Sequence, residues 1–141
     1  MEEPGSPSRH QRTRADHASE IAEDYCEAIA EIDTNGDGCR VKDLAQRFGV
    51  SHVTVVRTVK RLERDGLVET EPYKPIRLTN RGRQLAASCR ERHETVYRFL
   101  RALGVDARTA AVDAEGIEHH VSPSTLARFR DFAADHPLES D

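Results

Sequence analysis

The stretch from Val41 to Leu78 leaves few folds open. Leu44, Ala45 and Phe48 recur at helical spacing over residues 41–48. Gly49 follows, where a tight turn calls for a positive φ. Ser51, a good N-cap residue, opens a second amphipathic segment over 52–64, with Val55, Val59 and Leu62 on one face. Two helices joined by a short glycine-containing turn predict a helix-turn-helix. Gly66 closes the second helix. Leu67–Glu71 and Ile76–Leu78 read as short strands around Pro72-Tyr73-Lys74-Pro75. A helix-turn-helix followed by such a hairpin, or wing, is a winged helix-turn-helix. The expected fold class is mainly α with a small β-hairpin.

Charge separates a nucleic-acid module from an amphipathic hairpin of some other small domain. The net charge of −4 over 141 residues hides an asymmetry. Residues 40–83 hold 11 Lys and Arg against 5 Asp and Glu, whereas residues 1–39 hold 3 against 10 and residues 104–141 hold 3 against 8. A basic block on a helix-turn-helix points to double-stranded DNA. Base readout then falls to the start of the second helix, to Ser51, Thr54 and Arg57 with His52 and Val53 beside them. Lys60, Arg61, Lys74 and Arg77 are the phosphate-contact candidates.

Around this module the chain reads as helical. Residues 1–15, rich in Pro, Ser, Gly and charge, are expected to be a disordered tail. Ile21, Tyr25, Ala28, Ile29 and Ile32 predict a helix over 17–32. Asp33-Thr34-Asn35-Gly36-Asp37-Gly38 breaks it. That segment matches the first half of a calcium loop, but the twelfth position is Leu44 where a bidentate Glu belongs, so it reads as a turn. A long helix over 80–103 is capped by Thr79 and stopped by Gly104. Asp106 caps a further helix through His119, and Ser122-Pro123 opens a last one over 123–134. The organisation expected is a winged helix-turn-helix DNA-binding domain over 16–83 and a second, helical domain over 84–141. Broad apolar faces in so small a helical unit favour a homodimer.

Within 106–119 lies Glu115-Gly116-Ile117-Glu118-His119. Positions i, i+3 and i+4 share a helix face, so Glu115, Glu118 and His119 present two carboxylates and an imidazole to one point. Either they hold a divalent metal or they are an acidic surface. Asp24 and Glu27, three apart on the first helix, are by themselves an ordinary solvated pair. His93, on the apolar stripe of the long helix, is by itself a core histidine. His120 points elsewhere.

Several classes are set aside. The three cysteines, Cys26, Cys39 and Cys89, are widely spaced, against a disulfide framework or a zinc knuckle. No apolar run approaches the roughly 18 residues of a membrane span, and Met1–Arg14 lacks the core of a secretory signal. A cytoplasmic location is expected. A metallohydrolase is disfavoured: H-E-x-x-H is missing, as is any nucleophile arrangement. The chain is expected not to be an enzyme and to take no small-molecule substrate. A metal-independent winged-helix regulator stays as an alternative.

Five segments, Glu23–Glu27, Val50–Val55, Leu78–Gly82, Arg92–Glu94 and Asp113–His120, carry a resemblance that covers residues 21–134. They resemble the manganese-sensing branch of the diphtheria-toxin-repressor family of metal-dependent transcriptional repressors. The resemblance implies that Asp24, Glu27, His93, Glu115, Glu118 and His119 are metal ligands, holding a pair of Mn²⁺ ions at the junction of the DNA-binding and dimerisation units. It also implies an operator-binding homodimer acting at manganese-uptake genes. The implied donor set is oxygen and nitrogen without sulfur, which suits Mn²⁺ and tolerates Fe²⁺. Iron-sensing relatives place sulfur-containing residues at the positions of Asp24 and Glu115. An iron-responsive repressor of the same family is the nearest alternative. Cys26 lies about 200° round the helix from Asp24, off the ligand face. Val53 stands where many relatives have proline, which leaves the operator sequence open.

Overall fold

A computed structural model describes residues 9–34 and 36–138. The elements run α1 (Arg9–Asp33), α2 (Val41–Phe48), α3 (His52–Arg64), β1 (Val68–Glu69), β2 (Arg77–Leu78), α4 (Asn80–Ala102), α5 (Ala107–Ile117), a 3₁₀ turn (Glu118–His120) and α6 (Pro123–Asp135). The chain divides into two compact units at Ala86 and Ala87, inside α4.

α1 begins at Arg9, so residues 9–15, expected in a disordered tail, are helical. Between Arg9 and Asp33 the sequence has neither Pro nor Gly, and once nucleated a helix propagates cheaply through Arg, Gln and Ala. The remainder of the expected tail, residues 1–8, lies outside the described residues.

The first unit is built on the apolar faces that the periodicity predicts. Ile29, Leu44, Val55 and Val68 are fully buried, with Tyr25, Ala28, Ala45, Val59 and Leu62 around them. Tyr25 stacks on Phe48, ring centroids 4.6 Å apart. Gly49 has φ 64°, and the turn after it leads to Ser51, whose hydroxyl accepts the amide of Thr54 at 3.1 Å. β1 and β2 pair antiparallel, Val68 with Leu78 and Glu69 with Arg77. An isolated bridge adds Cys39 beside Ile76. The loop before α2 is therefore bridged to the residue that precedes β2, which the turn chemistry of 33–38 did not reveal. Leu44, at the twelfth position of the calcium-loop pattern, is fully buried, in keeping with a turn.

The second unit has its own core of Val96, Ala114 and Leu126, lined by Tyr97, Leu100, Val121 and Phe129. Phe99 stacks on Phe129 at 3.9 Å and meets Phe132 edge-on at 5.5 Å. The Asp106 and Ser122 side chains cap α5 and α6 by accepting the amides of Thr109 and Thr125. α5 ends at Ile117 rather than running through His119; Glu118 and His119 sit in the 3₁₀ turn. Leu103 is 55% exposed. It falls just past the helix end, where Gly104 turns the chain at φ 101°.

Candidate metal centre and nucleic-acid interface

The expected metal ligands fall in both units. In the first, α1 carries Asp24 and Glu27, both half-buried. One turn earlier on the same face, Glu20 brings a carboxylate oxygen within 4.8 Å of one from Asp24. Sequence reading missed Glu20, although its i,i+4 spacing to Asp24 is the signal that places it there. Cys26 is fully buried, off the polar face as its angle on the helix predicts. Burial, aided by the Glu23 carboxylate, pushes its thiol up to about 11.

In the second unit, Ala110 and Ala114 are fully buried on α5, and Glu118 continues their i+4 stripe at 2% exposure. It is the charged side chain that lies buried among the described residues. Its Oε2 lies 3.9 Å from Nδ1 of His93, and its Oε1 lies 3.6 Å from Nε2 of His119. The His119 side chain is 3% exposed. His93 Nδ1 is buried and has no hydrogen-bond partner. Two imidazole nitrogens thus face one sequestered carboxylate.

Glu115 differs. It follows Ala114 by one residue, about 100° round the helix, and is exposed. The four ligand candidates of this unit therefore divide into Glu118 and His119, whose side chains are buried, half-buried His93 with its Nδ1 enclosed, and one solvent-side carboxylate. The expectation of three groups sharing one α-helical face is corrected by the switch to 3₁₀ geometry at Glu118 and by the inward stripe that Glu118 joins. The donor set fits a hard divalent cation: a carboxylate is costly to bury without compensating charge, and an orphaned imidazole nitrogen is a ready metal ligand.

The residues expected to read bases and hold phosphates from the second helix lie on the outer face of α3. Ser51, His52, Thr54, Arg57, Lys60 and Arg61 are all exposed, and Val53 is 65% exposed. Arg57, Lys60 and Arg61 make no ion pair with any described residue. On the wing, Arg77 is exposed and Lys74 pairs with Glu71 at 2.9 Å. Thr58, half-buried, donates its hydroxyl to the Thr54 carbonyl at 3.0 Å.

Two family models divide the chain between them. The iron dependent repressor N-terminal DNA binding domain matches residues 17–76, and the iron dependent repressor metal binding and dimerisation domain matches residues 79–138. The chain belongs to the iron-dependent repressor family. Within this family it is similar to the transcriptional regulator MntR of Escherichia coli O6:H1, 43% identical over 125 residues, covering 89% of this chain and 81% of that protein. The HTH-type transcriptional regulator MntR of Bacillus subtilis is 35% identical over 109 residues, 77% of each chain. Among solved structures, the manganese regulator SloR superposes with a TM-score of 0.70 at 28% identity, covering 82% of this chain and 54% of that one. A manganese-dependent transcriptional repressor in complex with manganese gives 0.69 at 32%, covering 79% and 52%. The chain thus spans about half the length of these solved relatives. No helix among the described residues is long and apolar enough to cross a membrane.

Proposed function

We propose that this chain is a manganese-responsive transcriptional repressor that binds operator DNA as a homodimer in the cytoplasm. The reading rests above all on the buried Glu118 carboxylate facing His93 Nδ1, a buried imidazole nitrogen without a hydrogen-bond partner. The MntR names of its relatives and the manganese complex among its structural neighbours support the choice of metal. So does a donor set of carboxylates and imidazoles without thiolate.

In this reading Asp24, Glu27, His93, Glu115, Glu118 and His119 hold manganese as an adjacent pair of ions in each subunit. Bound manganese supplies the positive charge that makes a cluster of acidic side chains compatible with burial and with nearby DNA. Asp24 and Glu27 belong to the helix that packs against the helix-turn-helix. His93, Glu118 and His119 belong to the dimerisation unit. Ligation by both sets narrows the spacings that two recognition helices sample in a dimer, favouring one that fits successive major grooves. Metal and DNA then strengthen each other's binding by the same factor. Ser51, His52, Val53, Thr54 and Arg57 read bases, while Lys60, Arg61, Lys74 and Arg77 hold phosphates, at promoters of manganese-uptake genes.

A mobility-shift titration with Mn²⁺, Fe²⁺, Zn²⁺ and Ca²⁺ tests this. Mn²⁺ should raise DNA affinity the most, with calorimetry giving two ions per subunit. Equal affinity with and without every metal would remove the sensor reading. A larger response to Fe²⁺ would reassign the effector.

A further inference from the structure

The wing tip carries an expense that the fold does not explain. Tyr73 has φ 65°, the one non-glycine in the left-handed region among the described residues. For a residue with a bulky side chain that conformation is strained. The side chain gains nothing from burial in return, since Tyr73 is 98% exposed. The other two tyrosines behave differently: Tyr25 is 5% exposed on Phe48, and Tyr97 packs against the second core.

The backbone on either side of Tyr73 is fixed. Arg40 Nη1 donates to the Tyr73 carbonyl at 3.4 Å, and the Lys74 amide donates to the Glu71 carbonyl at 3.2 Å. Two residues on, the Ile76 amide donates to the Cys39 carbonyl at 2.8 Å. Pro75 fills the space of a missing side chain at Gly38, with its Cβ 2.6 Å from where a glycine substitution would place one. The turn therefore holds the Tyr73 backbone while its ring stands in solvent, with Lys74 next in sequence and Arg40, at the N-terminus of α2, against that backbone. These cations belong to the basic block of 11 Lys and Arg against 5 Asp and Glu.

We infer that Tyr73 is a DNA contact of the wing, its ring lying on a deoxyribose and its hydroxyl donating to a phosphate, with Arg40 and Lys74 on neighbouring phosphates. The inference rests on the DNA-binding reading of this chain. A ring offers an apolar face to the sugar and a donor to the phosphate, and neither contact depends on base identity. Tyr73 thus positions the wing along the backbone flanking the bases read by α3, and leaves sequence choice to that helix.

The test uses the full chain with saturating Mn²⁺ and duplexes enriched by the wild-type protein from a random-sequence pool. Tyr73→Gly removes the ring and suits a positive φ; Tyr73→Asn, also tolerant of that region, is the second variant. Both should keep or raise the thermal midpoint and bind the enriched duplex about tenfold more weakly, equivalent to ~1.4 kcal/mol. Tyr73→Phe should fall between them and wild type. Hydroxyl-radical protection should be lost at the flanks of the footprint and kept at its centre. Wild-type affinity and an unchanged footprint in both Tyr73→Gly and Tyr73→Asn would overturn the inference. Should the wild-type protein enrich no duplex at all, the DNA-binding reading itself fails and this inference with it.

Discussion

His93 Nδ1 and Glu118 Oε2 lie 3.9 Å apart, one from the middle of α4 and the other from the 3₁₀ turn after α5. That separation is too long for a hydrogen bond and leaves the imidazole nitrogen without one. A cation held between the two would give that nitrogen a partner. Glu118→Gln keeps the shape and removes the charge. Its Mn²⁺ affinity should drop by at least about tenfold, ~1.4 kcal/mol, in calorimetric titration, with the metal-free thermal midpoint unchanged or raised. His93→Ala should show the same loss. Exposed Glu115 should matter less, so Glu115→Ala should give the smallest drop of the three. Wild-type manganese affinity in Glu118→Gln would remove this pair from the site.

The outer face of α3 separates two kinds of contact. Arg57→Ala should lose discrimination between the preferred duplex and variants at one base position, by about 1–3 kcal/mol. Lys60→Ala should weaken binding to all duplexes alike and lower the slope of log affinity against log salt by about one. Anisotropy titrations over a salt series distinguish the two outcomes. An identical salt slope in Lys60→Ala would argue against its phosphate contact.

Gly82 sits in the first turn of α4, where a Cβ would come within 2.1 Å of the Leu67 carbonyl oxygen and 3.0 Å of Leu78 Cδ2. Backbone cannot yield there as a flexible side chain would. Despite the better helix propensity of alanine, Gly82→Ala should destabilise the protein by about 1–3 kcal/mol in urea unfolding. Gly116, also helical, has open space where its Cβ would stand. Gly116→Ala should therefore stabilise by up to about 1 kcal/mol.

The thiols give the protein an alkaline limit. Cys26 is raised to about 11, and Cys39, by burial and then the Asp43 and Asp33 carboxylates, to about 12. Unfolded cysteines ionise near ~8.5. Their protonated folded state thus contributes fully below that pH, and the contribution is lost as pH rises toward 11 and 12. Urea midpoints should fall across that range, and less so in Cys39→Ala measured against its own neutral-pH stability. At neutral pH a thiol reagent should label none of the three buried cysteine thiols until the protein is denatured.

Much of the DNA-binding unit was legible because its signals are short. Ser51, Gly49 and the Val55, Val59 and Leu62 stripe each act within about a turn of their own position. The candidate metal site was legible by residue type and spacing, and by family resemblance. Spacing alone gave Glu115 and Glu118 equal standing. The inward i+4 register of Ala110, Ala114 and Glu118 separates them, and that register becomes readable only once the alanines are known to face a core. Glu20 was passed over because a further carboxylate on an acidic helix carries no mark of its own.

The sequence by itself determined the order and most of the bounds of the helices, their caps, the wing and the basic block. These depend on hydrogen bonds and side-chain packing between residues a few positions apart, so the information is local. Tertiary structure alone decided that Glu118 is buried while Glu115 is exposed, that Cys39 borders the sheet at Ile76, that Gly82 must stay bare beneath Leu67, and that Tyr73 is held with its ring in water. Each of those outcomes depends on segments distant in sequence excluding water from, or leaving room for, one particular side chain, and no local pattern encodes which segment arrives.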